Sequence, residues 1–190
     1  MKRYLLRTWA LWVRELILAL LSVSLVALFT EYAHAQVRFA KTYGRTGNDL
    51  GWSVQQTSDG GYIVTGRTVL ILNDDIFLVK TDANGNVEWA NIYGGIYDDV
   101  AYSVQQTSDG GYILAGRTGS LSANDDVFLI KTDANGNVQW AKTYRGANVD
   151  WAFSVQQTSY GGYIVAGRTR SFGAGNFDVF LIKTDADGNL

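Results

Sequence analysis

Eleven residues, SVQQTSDGGYI, stand at positions 53–63 and again, unchanged, at 103–113. A third copy at 154–164 differs only in Tyr160, where the others have aspartate. The starts lie 50 and 51 residues apart. The second half of each unit recurs too: DIFLVKTDANGNV from Asp75, DVFLIKTDANGNV from Asp126 and DVFLIKTDADGNL from Asp178. An aromatic run follows, VEWANIYG from Val87 and VQWAKTYR from Val138, and a relative, VRFAKTYG, stands at Val37. Such repetition constrains the fold first. A unit this short cannot bury its apolar face alone and must stack on its neighbours.

Each unit holds four strand-like runs. In the second unit they are 99–107, 112–118, 127–132 and 138–144. Ser108-Asp109-Gly110-Gly111 is a turn signal between the first two. Asn135-Gly136 marks a short hairpin between the last two, because both turn positions favour positive φ. Two hairpins in series make a four-stranded meander. The composition fits, with 21 glycines, no proline and 13% aromatics. A period near 50 with four strands predicts an all-β fold of β-propeller blades. The expected arrangement is three four-stranded antiparallel repeats, the last blade completed by the N-terminal strand, in a partial or oligomeric propeller. A β-sandwich-like repeat stack is the alternative.

The first 35 residues have another character. Lys2, Arg3, Arg7 and Arg14 precede a 14-residue run at 16–29 whose only polar members are Ser22 and Ser24. Ala33-His34-Ala35 follows as a small-x-small cleavage pattern. These features predict a secretory signal peptide over 1–35 and a β-propeller-like repeat domain over 36–190. Within that domain we expect a strand at 37–44 and repeats at approximately 45–94, 95–145 and 146–190. The expected location is extracellular, at the cell surface or periplasmic, with membrane contact only through an uncleaved signal segment.

Cysteine is absent and the single histidine, His34, lies in the signal. A Ser-His-Asp or Cys-His catalytic set is therefore impossible in the exported part. The formal net charge is −2, and no basic stripe marks a nucleic-acid footprint.

The repeat resembles a propeller-type unit common in long secreted proteins of bacteria and archaea. It is more distantly similar to kelch and quinoprotein blades. The quinoprotein likeness rests on Asp133, Gly136 and Trp140 around the last hairpin, at a spacing one residue shorter than in that family. It therefore implies no cofactor here. Kelch units place a double glycine after a strand, whereas Gly110-Gly111 precedes one.

The ends are in complementary phase. The repeat region opens on a fourth strand without its third, and 188–190 end a third strand and turn without their fourth. Closed propellers use four to eight blades. Either a homodimer completes a six-bladed ring, or the chain is a fragment of a longer array.

Several repeated residues carry chemistry. Asp82, Asp133 and Asp185 begin turns whose oxygens resemble part of a Ca²⁺ loop, but the glycine falls fourth, not sixth. An Asx-stabilised hairpin is the expected role, and no cofactor is predicted. The pairs Asp74-Asp75, Asp98-Asp99 and Asp125-Asp126 cap loop–strand junctions. Arg67, Arg117 and Arg168 follow the same glycine in each unit, and Lys80, Lys131 and Lys183 close each third strand. They are read as ion-pair partners of the aspartates, or as a ring for anionic ligands. Gln55, Gln105 and Gln156 lie on the innermost run and either bind ligand or build an amide ladder between blades. Trp52, Tyr102 and Phe153 share one position, and Trp89, Trp140 and Phe39 another. Such rings are either core or stacking platforms for sugars.

Together these features predict a secreted non-enzymatic repeat protein, a structural or binding module contacting protein or glycan through blade loops. The alternative is an enzyme or cofactor-binding propeller fragment of quinoprotein or glycosidase type.

Overall fold

A computed structural model describes residues 38–69, 73–120 and 124–190. The expected signal at 1–35 lies outside the described residues. Residues 39–190 form one compact unit. It is all-β, with no helix among the described residues.

Eleven strands follow the predicted runs. The first sheet is β1 (Asp49–Gln56), β2 (Tyr62–Val69), β3 (Asp74–Thr81) and β4 (Val87–Tyr93). The second is β5 (Asp99–Gln106), β6 (Tyr112–Thr118), β7 (Asp126–Thr132) and β8 (Val138–Tyr144). The third is β9 (Asp150–Gln157), β10 (Tyr163–Thr169) and β11 (Asp178–Thr184). All pairs are antiparallel neighbours in sequence, as hairpin connections require. The sheets are propeller-like blades and do not close into a ring.

Registers repeat from blade to blade. Gln55 opposes Ile63, Gln105 opposes Ile113 and Gln156 opposes Ile164. A bulge interrupts the β1–β2 and β5–β6 ladders at Trp52 and Tyr102. The extra residue turns the aromatic side chain away from the pleat's alternation. The TDxxG turns close through Gly85, Gly136 and Gly188, all at positive φ, which glycine tolerates without strain.

Alternation then builds the core. Ile63, Ile76 and Leu78 of the first blade pack on Ala101, Tyr112, Leu114 and Phe128 of the second. The other face of the second blade, with Ile113, Val127 and Leu129, packs on Val155, Tyr163 and Val165 of the third. The second blade is thus covered on both faces. Each fully buried Leu or Ile contributes about 1.5–3 kcal/mol relative to exposure.

Fourth strands also reach the next blade. Trp89 meets Tyr112 edge-on at 5.7 Å, and Trp140 meets Tyr163 at 5.7 Å. The hydroxyls of Tyr93 and Tyr144 donate to the carbonyls of Gly136 (2.6 Å) and Gly188 (2.8 Å).

One expectation is corrected here. Of the strand expected at 37–44, residues 39–44 do not complete the last blade: the third sheet has three strands, and no strand precedes Asp49 among the described residues. Instead this segment lies against the first blade. Phe39 meets Tyr62 edge-on at 5.9 Å, and the Tyr43 hydroxyl donates to the Gly85 carbonyl at 2.8 Å. These are the contacts a preceding blade's fourth strand would make. Its own third-strand partner is not beside it, so no ladder forms.

Candidate functional site

The innermost strands β1, β5 and β9 bring the repeated polar and aromatic residues side by side. Their glutamines tie the blades together. Gln106 N–H donates to Gln55 Oε1 at 2.5 Å, and Gln157 N–H donates to Gln105 Oε1 at 2.6 Å. The second glutamine of each pair reaches back: Ser58 N–H donates to Gln106 Oε1 and Ser108 N–H to Gln157 Oε1, both at 2.8 Å. Ser53 and Ser103 Oγ likewise accept from Val104 and Val155 N–H. β1, β5 and β9 belong to separate sheets, and these side-chain bonds link one to the next. Gln156 is exposed and accepts no such bond among the described residues. A cleft of about 460 Å³ lies between the turns of the first two blades, lined by Gln55, Ser58, Gln106 and Ser108.

A row of aromatic rings runs along the same strands. Trp52 and Tyr102 stand 5.6 Å apart, and Tyr102 and Phe153 5.4 Å apart. Trp52 and Phe153 are exposed. Tyr102 is half-buried although its blade has a neighbour on each side. Trp151 also stacks on Tyr102, with ring centroids 6.2 Å apart, so the rings of the row open to solvent are those of the two end blades.

Two of the three arginines pair with the equivalent aspartate of their blade, and the third does not. Arg67 pairs with the Asp74 carboxylate. Arg117 pairs with Asp125 at 3.0 Å and donates through Nε to the Tyr102 hydroxyl at 3.3 Å. In the third blade Phe177 occupies the place of those aspartates. Arg168 accordingly lies over two rings, 3.8 Å from the Trp151 centroid and 4.0 Å from that of Phe177. Its buried Nε has no hydrogen-bond partner. Arg117 approaches the same indole at 5.2 Å, and Trp151 Nε1–H donates to Asp125 at 3.1 Å. Arginine, indole, arginine and phenyl thus alternate next to the aromatic row. A guanidinium over an aromatic face is held by the ring's quadrupole.

The lysines are structural in two blades. Lys80 is buried and contacts Asp59 and Glu88, each at 2.8 Å. Lys131 is buried and contacts Asp109 at 2.8 Å and Gln139 at 3.1 Å. Burial would raise the Asp109 carboxyl, but Lys131, the Thr107 hydroxyl and the Gly111 N–H outweigh it and hold the group at about 2. Lys80, Thr57 and Gly61 lower Asp59 in the same way. In the third blade Tyr160 replaces this aspartate and Lys183 is exposed.

The turn aspartates serve their own hairpins. Asp82 Oδ1 accepts from Asn84 and Asn86 N–H, both at 2.8 Å, and its other oxygen from Asn86 Nδ2. Asp133 and Asp185 repeat the pattern. The asparagine bonds lower all three carboxyls. Among the described residues no group of three or more acidic or histidine side chains is placed to hold a metal ion.

The acidic pairs cap loops, as their positions suggested. Asp99 Oδ2 accepts from Gly95 N–H and the Ser120 hydroxyl, and Asp150 accepts from the hydroxyls of Thr169 and Ser171. Asp75 is buried beside Asp99. Burial first, and then that charge, raise its carboxyl above the ordinary range.

The differing arginine partners were not foreseen. The signal was available: the residue opening the third run reads Asp74, Asp125 and Phe177 in the three units. No family model matches the chain, and no curated protein matches it.

Proposed function

We propose that the chain is an exported, non-enzymatic binding module that stacks acidic glycans on the row formed by Trp52, Tyr102 and Phe153. The carrying observation is that Trp52 and Phe153 are exposed on either side of the half-buried Tyr102, in one row with centroids 5.6 and 5.4 Å apart. Sugar rings present C–H faces that stack on aromatic rings, and rings at a regular spacing suit a regular polymer. Arg168, held between rings with no carboxylate partner among the described residues, supplies a cation for an acidic sugar. The near identity of the blades supports binding over catalysis, since a catalytic site needs unlike groups with separated pKa values. Export is supported by the basic, apolar and small-x-small segments of the first 35 residues.

The test is a glycan array probed with the chain expressed from Met1 and recovered after export. Binding to uronic-acid-containing glycans is expected, weakened at least about tenfold by Trp52→Ala or Phe153→Ala, a loss of about 1.4 kcal/mol. Silence on the array combined with turnover of a sugar or alcohol substrate would reverse the assignment. Capture of proteins but no glycan would move the ligand class to protein.

A further inference from the structure

Among the described residues the first and third blades each leave one face uncovered, and the two faces are the halves of an interface already formed twice in the chain. On the third blade, Val179 and Leu181 are 88% and 66% exposed. Their counterparts Val127 and Leu129 are 1% and 0% exposed, covered by the next blade. On the first blade, Leu50 and Val54 are exposed where Val100 and Val104 are buried. Ser154 and Gln156 stand where Ser53, Gln55, Ser103 and Gln105 each accept a backbone N–H from the following blade. The outer edge of β11 has no strand beside it among the described residues, whereas β3 and β7 pair with β4 and β8.

The segment at 38–44 is the matching piece. It already makes, on the first blade, the three contacts that β8 makes on the third. Phe39 does what Trp140 does against a tyrosine, and Tyr43 what Tyr144 does against a glycine carbonyl. Lys41 Nζ donates to Asn86 Oδ1 as Lys142 Nζ does to Asn189 Oδ1. Everything a fourth strand does toward the following blade is in place. Only its ladder to a third strand is missing.

We propose that this ladder forms with a second copy of the chain: residues 39–44 of one copy pair with β11 of the other, and the third blade of one stacks on the first blade of its partner. The β7–β8 register places position 41 opposite 181 and position 43 opposite 179. Such a contact joins two different surfaces, so it makes a ring or a filament. Two copies of residues 39–190 give six blades, within the range in which propellers close, whereas one copy gives three and three copies nine. The assembly does not depend on the glycan reading, because mass and cross-link are read without any ligand.

The chain contains no cysteine, so a cross-link reports the register directly. Lys41 and Leu181 are both exposed, and replacing them leaves the blades intact. In the exported chain, the double variant Lys41→Cys with Leu181→Cys is expected to form a disulfide-linked species of twice the chain mass on oxidation. The pair Thr42→Cys with Leu181→Cys, on opposite faces, is expected to form none. Light scattering should give twice the chain mass for the parent and one chain mass for Leu181→Arg, with unchanged far-ultraviolet circular dichroism. A parent of one chain mass, a mass of three or more chains, or a disulfide within one chain would each overturn the proposal.

Discussion

Residues 126–132 and 178–184 share one sequence, DVFLIKT, and lie in different surroundings. In β7 all seven residues are buried. In β11 only Ile182 and Thr184 are, while Val179, Leu181 and Lys183 are exposed. Propensity, alternation and turn chemistry are equal in the two strands. The difference comes from the neighbours: β7 has a paired strand on each side and a blade against each face, and β11 lacks one of each. Burial here is a property of the stack, which is why a single blade has no independent stability.

The contrast is open to direct attack. Leu129→Ala should cost about 2–5 kcal/mol in urea unfolding of the dilute chain, because it empties a packed site. Leu181→Ala under the same conditions should cost less than about 1 kcal/mol, since most of that side chain is already in water. Equal losses would break the comparison.

The lysine position offers a second contrast. Asp109→Ala strips the ion partner from buried Lys131 and should cost about 1–3 kcal/mol. Tyr160→Asp restores the missing partner beside exposed Lys183 and should gain no more than about 1 kcal/mol. Tyr144→Phe removes the hydroxyl bond to Gly188 and should cost about 1 kcal/mol, measured by the same unfolding curves.

Asp109 and Tyr144 also make stability depend on pH. Asp109 is held at about 2, below the ordinary 3.8. Its contribution is complete above the ordinary value and disappears as pH falls through about 2. Burial pushes Tyr144 and Tyr163 up to about 12 from 10.0. Their contribution is complete below 10.0 and lost as pH rises through about 12. Absorbance titration of phenolates should show a late fraction coinciding with alkaline unfolding. Tyr144→Phe should reduce that fraction.

Much of this was legible beforehand. The runs at 112–118 and 138–144 are strands as read, because turn glycines and alternating apolar residues define them locally. The ladder role of the glutamines followed from adjacent residues facing opposite sides of a strand. Residues 37–44 were misplaced for a physical reason. A strand exists only with a partner, and sequence phase says which type of strand is wanted without saying which edge supplies it. Arg67 and Arg117 pair with aspartates as expected; the ring partners of Arg168 were hidden for a related reason. Arg67, Arg117 and Arg168 occupy one framework position, but their partners come from the variable loops, where Phe177 replaces an aspartate. The stack of Arg117, Trp151, Arg168 and Phe177 crosses two blades. No single unit encodes it.

Amide hydrogen exchange of the two DVFLIKT strands, followed against protein concentration, tests the central claim most directly. The strands are told apart by their flanking residues. The account predicts that β7 is strongly protected at every concentration, while β11 is weakly protected at high dilution and approaches β7 as chains associate. Equal protection of the two strands at all dilutions, or a β11 that stays open at high concentration, would contradict it.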